Sequence, residues 1–165
     1  MNSTRRAVLA TLGAASFLAI GLAGAGNATT KNVIDVQIWD KGVQAAMSMD
    51  MGVGGAADKS AATMGLKLSS TTAKAGKVTF NVVNTSKDTV HEMVVLRYKD
   101  GEKLPYSAND MKLNEDAAGH LGEVSELEPG KSGSVTLGLK PGKYLVTCNI
   151  PGHYMNGMWE IVTVK

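Results

Sequence analysis

The sequence predicts an all-β fold, a Greek-key β-sandwich with one long connection that has room for a short helix. Two observations predict it. From residue 33 onward apolar residues recur at every second position through most of the chain, the pattern of strands buried on one face. Between those runs stand clusters of turn formers: Asn84-Thr85-Ser86-Lys87-Asp88, Pro129-Gly130-Lys131-Ser132-Gly133 and Pro141-Gly142. Short strands punctuated in this way pack as two sheets. The 165 residues suffice for one domain with its own core and fall short of two once an export signal is removed.

The first element is a targeting segment. Residues 1–6 form a basic head, residues 7–25 an uncharged stretch rich in Ala, Leu and Gly, and Ala25-Gly26-Asn27-Ala28 a small-residue cleavage site. This is the layout of a bacterial export signal, expected over residues 1–28, with a single domain over 29–165. Arg5-Arg6 followed by apolar residues resembles a twin-arginine signal, the route for proteins exported after folding. An uncleaved membrane anchor is the competing reading; the Ala- and Gly-rich composition and the cleavage site favour removal, with no stable membrane insertion afterwards. Arg5 and Arg6 are the only charges in residues 1–28, so their loss takes seventeen basic residues to fifteen against fifteen acids, and the net charge from +2 to zero. A neutral domain has no electrostatic case for nucleic acid as a partner.

The strands follow in order. Residues 33–39 place Ile34, Val36 and Ile38 on one face, and residues 77–84 do the same with Val78, Phe80 and Val82. Residues 64–69, 91–98, 134–139, 143–149 and 158–164 complete the set. Two stretches break the rhythm. Residues 45–63 are full of Gly, Ala and Met, and residues 100–128 are polar with scattered apolar positions. The second is expected to hold a short helix over 107–118 with Ser107 as N-cap.

There is one cysteine, which excludes a disulfide framework, a four-cysteine zinc site, an all-cysteine iron–sulfur cluster and a C-x-x-C redox pair. It opens the most informative run of the chain, Cys148-Asn149-Ile150-Pro151-Gly152-His153-Tyr154-Met155-Asn156-Gly157-Met158. A thiol, an imidazole and thioethers meet there on one loop between two strands. Thiolate and thioether are soft donors suited to copper, and two His, one Cys and a weak axial Met make an electron-transfer copper site. A second His has to come from elsewhere. His91 opens a strand after a polar turn and shares its side with Met93 and Val95, so it suits the part; His120 lies in the irregular connection and reads as a solvated loop histidine.

These residues carry a resemblance. The segment from Gly76 to Lys165 resembles the cupredoxins, the small periplasmic blue-copper proteins, in the rusticyanin-like and plastocyanin/azurin-like branch whose ligand loop runs Cys-x4-His-x4-Met. The features that match are Gly76-Lys77-Val78-Thr79-Phe80, His91-Glu92-Met93-Val94-Val95, Pro129-Gly130-Lys131-Ser132, Pro141-Gly142-Lys143-Tyr144 and the ligand loop. The resemblance implies one copper ion, with His91, Cys148 and His153 as equatorial ligands and Met158 as axial ligand; Met155 is the less suitable thioether by spacing. It implies a periplasmic, monomeric one-electron carrier, not an enzyme, that meets a transient redox partner at an apolar surface of Pro151, Tyr154 and Met155 around the edge of His153. Glu92 departs from the Asn or Ser common after the first His, which bears on the tuning of the potential.

Other readings compete with this one. A lone Cys in an apolar strand is most often a small buried hydrophobe. A Cys–His nucleophile lacks a third orienting group, zinc is poorly served by one Cys and a Met, and haem attachment needs C-x-x-C-H. Met47-Ser48-Met49-Asp50-Met51 reads as linker or core, with a Cu(I) docking surface or a cap over the site as the functional alternative. On that alternative the protein serves copper tolerance or delivery.

Overall fold

The computed structural model describes residues 32–42 and 50–165. The expected export signal, Met47 and Met49 lie outside the described residues. Among the described residues no helix is long and apolar enough to cross a membrane.

The described chain forms strands β1 (Val33–Asp40), β2 (Met64–Leu68), β3 (Thr72–Ala73), β4 (Gly76–Asn84), β5 (His91–Tyr98), β6 (Tyr106–Ser107), β7 (Lys112–Leu113), β8 (His120–Leu127), β9 (Ser132–Leu139), β10 (Gly142–Thr147) and β11 (Trp159–Val164). One sheet has the order β2-β1-β4-β9, the other β3-β11-β10-β5-β8, and β6-β7 is a small ribbon. The sandwich expected from the alternating pattern is therefore present. Ile34, Val36, Ile38, Val78, Phe80 and Val82 point from the first sheet into the core, where they meet Met93, Val95, Tyr144, Val146 and Val162 of the second. Burying each large apolar side chain contributes about 1.5–3 kcal/mol, which is what holds the two layers together.

Two pairings position the site. β1 runs parallel to β4 (Val36 opposite Val82) and antiparallel to β2 (Asp40 opposite Met64), so the end of β1 arrives beside the end of β4. β10 lies between β5 and β11, with Thr147 opposite both Val94 and Trp159. The start of β5, the end of β10 and the start of β11 thus share one end of the second sheet.

The connection over 100–128 differs from the expectation. Among the described residues it holds no helix over 107–118. Ser107 does accept a hydrogen bond from Asp110 N (3.3 Å), as an N-cap would, and its hydroxyl donates to the Asp110 carboxylate at 2.6 Å. The chain then reverses through Met111 at φ 53°, and Tyr106 and Ser107 pair with Leu113 and Lys112. The capping residue serves a turn instead of a helix. Residues 120–127, expected to be irregular, form β8 against β5.

Candidate metal centre

His91 is placed by the turn before it. The amide of Asn84, fully buried, donates to Thr89 O and Leu127 O, both at 2.8 Å, and its oxygen accepts from Ser86 N (3.0 Å) and Ser86 Oγ (2.6 Å). A turn held at four points delivers His91 as the first residue of β5 with its ring inside the sandwich.

The loop from Cys148 to Met158 is closed by its own backbone. Cys148 N donates to Met158 O (3.0 Å), and Thr147 Oγ1 donates to the same carbonyl (2.8 Å). Inside that closure Met158 N donates to His153 O, and Asn156 Nδ2 to Gly152 O at 2.7 Å. Gly157 sits at φ 92°, where a Cβ would also come within 3.2 Å of Ala62, so both backbone and space call for glycine. Cys148 and Met158 are thereby pinned side by side, both fully buried in the main core. Met155 instead packs in a second apolar cluster with Tyr154 and Val53.

The donors converge. Cys148 Sγ lies 3.3 Å from His153 Nδ1 and 3.8 Å from His91 Nδ1, and one ligand atom from each of the three residues falls within 4.8 Å of the others. The two imidazole rings stand 5.0 Å apart at 55°. Glu92 N approaches the sulfur at 3.5 Å, and the Glu92 carboxylate accepts from Asn149 N at 3.1 Å, which ties the start of β5 to the residue after the cysteine. His120 stays apart. It is half-exposed at the start of β8, 3.4 Å from Glu123 and 3.9 Å from Glu115.

Burial governs the electrostatics. It pushes the Cys148 thiol up to about 12, against the pull of the Glu92 and Ile150 backbone N–H groups. It lowers His153 to about 4, with the neighbouring His91 adding to the effect. His91 is lowered by burial too, with Asp40 opposing. Glu92 is raised by burial, with Lys112 opposing and Glu115 and Glu123 adding. The site is therefore a protonated thiol facing two neutral imidazoles, each ready to offer a lone pair.

A soft sulfur, two borderline nitrogens and a neighbouring thioether in a dry pocket fit one type 1 copper ion. Two residues at the site escaped the sequence reading. Asp40 hydrogen-bonds His91 from across the sandwich. Met111, a large hydrophobic residue that stands 40 % exposed, has its carbonyl on Gly152 N at 2.8 Å, beside the ligand loop. Tyr154 corrects an expectation. It is buried, with its hydroxyl accepting from Val53 N (2.9 Å), and offers little to a surface patch.

Residues 53–165 match the family model of the copper-binding proteins of the plastocyanin/azurin family. Among solved structures the chain is similar to rusticyanin from Thiobacillus ferrooxidans, with 17 % identity and a TM-score of 0.50 over 81 % of this chain and 78 % of that one. A structure of reduced rusticyanin gives 17 % identity and a TM-score of 0.51 over 81 % of this chain and 80 % of that one. Dithionite-reduced auracyanin from Roseiflexus castenholzii gives 18 % identity and a TM-score of 0.49 over 81 % of this chain and 97 % of that one. At these identities the rusticyanin likeness speaks for the fold alone. Among curated proteins no sequence matches.

Proposed function

The chain belongs to the plastocyanin/azurin family of copper-binding proteins, and from that premise we propose that it is a periplasmic one-electron carrier and not an enzyme. The observation that carries this is the convergence of His91 Nδ1, Cys148 Sγ and His153 Nδ1 in a buried pocket, with Met158 locked beside the cysteine. In this reading His91, Cys148 and His153 would hold the copper ion through two nitrogens and a sulfur, and Met158 would offer its thioether as a weaker fourth donor.

A bound copper ion would supply a Cu(II)/Cu(I) couple, which takes up and gives back one electron. The chain's part is to hold the donors still. Backbone bonds close the Cys148–Met158 loop, Asn84 fixes the entry to β5, and Glu92 joins the two, so a change of charge in the pocket finds little freedom to rearrange. His153 alone among the four donors keeps some surface, 7 %, and is the exit for the electron. Around it Pro151, Met155 and Met111 form the apolar surface for a transient redox partner. Residues 1–28 serve as the export signal, residues 29–165 form the working domain, and the carrier acts as a monomer. Met51 is 5 % exposed, and its sulfur is 3.5 Å from where a Cβ on Gly157 would stand, so it packs against the ligand loop as core.

The test is spectroscopic. The mature domain loaded with Cu(II) should show an intense visible thiolate-to-copper band and the paramagnetic resonance of one copper per chain, and Cys148→Ser should abolish the band. Absence of the band from the wild-type protein, or its persistence in the variant, would sink the reading.

A further inference from the structure

The family match begins at residue 53, so β1 lies outside it, yet the last residue of β1 reaches the metal centre. Asp40 Oδ2 lies 2.8 Å from His91 Nε2, with the two side chains 2 % and 0 % exposed. The other oxygen of that carboxylate accepts from Gly42 N at 2.7 Å. One oxygen is thus committed as an acceptor to the Gly42 N–H and the other faces the ring nitrogen, the arrangement of a carboxylate that orients an imidazole. An ionised carboxylate only accepts hydrogen bonds, so His91 Nε2 must carry the proton. Nδ1, the nitrogen facing Cys148, is then left with a free lone pair.

We propose that Asp40 is a positioning residue for the metal centre: its buried carboxylate locks His91 in the Nε2–H form before metal arrives, and its charge, felt through that ring, favours Cu(II) over Cu(I). The redox half rests on the reading of His91 as a ligand. A carboxylate on the far nitrogen of a ligating imidazole fixes the ring and makes it a stronger donor, and losing such a partner typically changes metal affinity about 10- to 100-fold. Fixed negative charge stabilises the more positive oxidation state, so its removal must shift the Cu(II):Cu(I) balance toward Cu(I). The carboxylate comes from β1, and the sheet register places it there, because Asp40 pairs with Met64 at the end of the strand.

Two variants separate charge from hydrogen bond. Asp40→Asn loses the charge and keeps a hydrogen-bonding side chain of the same shape, with one acceptor oxygen shared between the Gly42 N–H and the ring; Asp40→Leu loses charge and hydrogen bond together. In the metal-free protein, long-range proton–nitrogen NMR should show His91 protonated at Nε2 in wild type and losing that preference in Asp40→Leu. In the copper-loaded protein, Asp40→Asn should move the Cu(II):Cu(I) equilibrium at least about tenfold toward Cu(I), an upward shift of about 59 mV for a one-electron couple. A metal-free wild-type protein with the His91 proton on Nδ1, or an Asp40→Asn potential equal to wild type, overturns the proposal. If Asp40→Leu fails to fold, Asp40→Asn decides the redox half and the wild-type spectrum decides the tautomer. His91→Gly tells apart a failure of the ligand reading: an unchanged band there removes His91 from the metal and the redox half with it.

Discussion

At Cys148 the needs of folding and of metal binding differ. Folding buries the thiol among apolar side chains and keeps it protonated, with its ionisation pushed up to about 12, whereas copper requires the thiolate. Both imidazoles are lowered by burial and are already neutral at neutral pH. Copper uptake at about pH 7 should therefore release one proton, from the sulfur alone. Calorimetric titration in buffers of different ionisation enthalpy would measure it; a release near zero contradicts a buried neutral thiol, and one near three contradicts neutral histidines. Most of the candidate site was legible in the sequence because Cys148, His153 and Met158 share one loop whose spacing is itself informative. Asp40 was not, since it stands 51 positions from His91 and only the register of β1 brings the two together. Met111 was hidden too, because its place beside Gly152 depends on a backbone reversal at a residue with no turn-forming side chain.

The strand that the alternating pattern missed shows where that pattern fails. In β8 the residues that reach the core are Leu121, Val124 and Leu127, three apart instead of two. The register against β5 slips twice, between His91 and Met93 and between Val95 and Leu96, and each irregularity inserts a residue that resets the inward face. A reading by period two sees only scattered apolar positions there. The strand's other signature is its closeness to β9. A Cβ at Gly133 would lie 2.5 Å from Val124 Cγ1, while one at Gly138, on the same strand, would meet nothing within 4 Å. Gly133→Ala is expected to destabilise the protein by about 1–3 kcal/mol through overpacking of the two sheets. Gly138→Ala should be neutral or stabilise by up to about 1 kcal/mol by narrowing the unfolded ensemble. Urea unfolding of the pair checks both, and equal effects would contradict the close contact of β8 with β9.

For the molecule as a whole, the sandwich was legible because β1 and β4 of the first sheet bury alternate residues, but two features were not: β5 and β10 are buried on both faces, with Val94, Leu96 and Leu145 in a second apolar cluster behind the main core, and β1 runs parallel to β4, since alternation carries no strand direction. Packing the site into that sandwich leaves a pH signature on the metal-free protein. His153 falls from 6.5 unfolded to about 4 folded, so the unfolded chain binds more protons between those values and stability drops as the pH falls through them. That one group contributes about 3 kcal/mol, present above about pH 6.5 and lost by about pH 4. His91 acts in the same sense, and Glu92, raised in the fold, acts in the opposite one above 4.5. Unfolding free energies of the metal-free protein should fall over this range, and more weakly in His153→Gln; a flat profile would contradict burial of neutral imidazoles. The unequal exposure of the donors also separates two kinds of traffic. On the proposed function an electron would pass through the exposed edge of His153 with the loop left closed, whereas an ion would have to wait for the Cys148–Met158 loop to part from residues 51–53, which are bonded to it through Met155 O, Tyr154 Oη and, just beyond its end, Trp159 Nε1. Charge and metal would then keep separate clocks, with many electrons passed within a single residence of the ion.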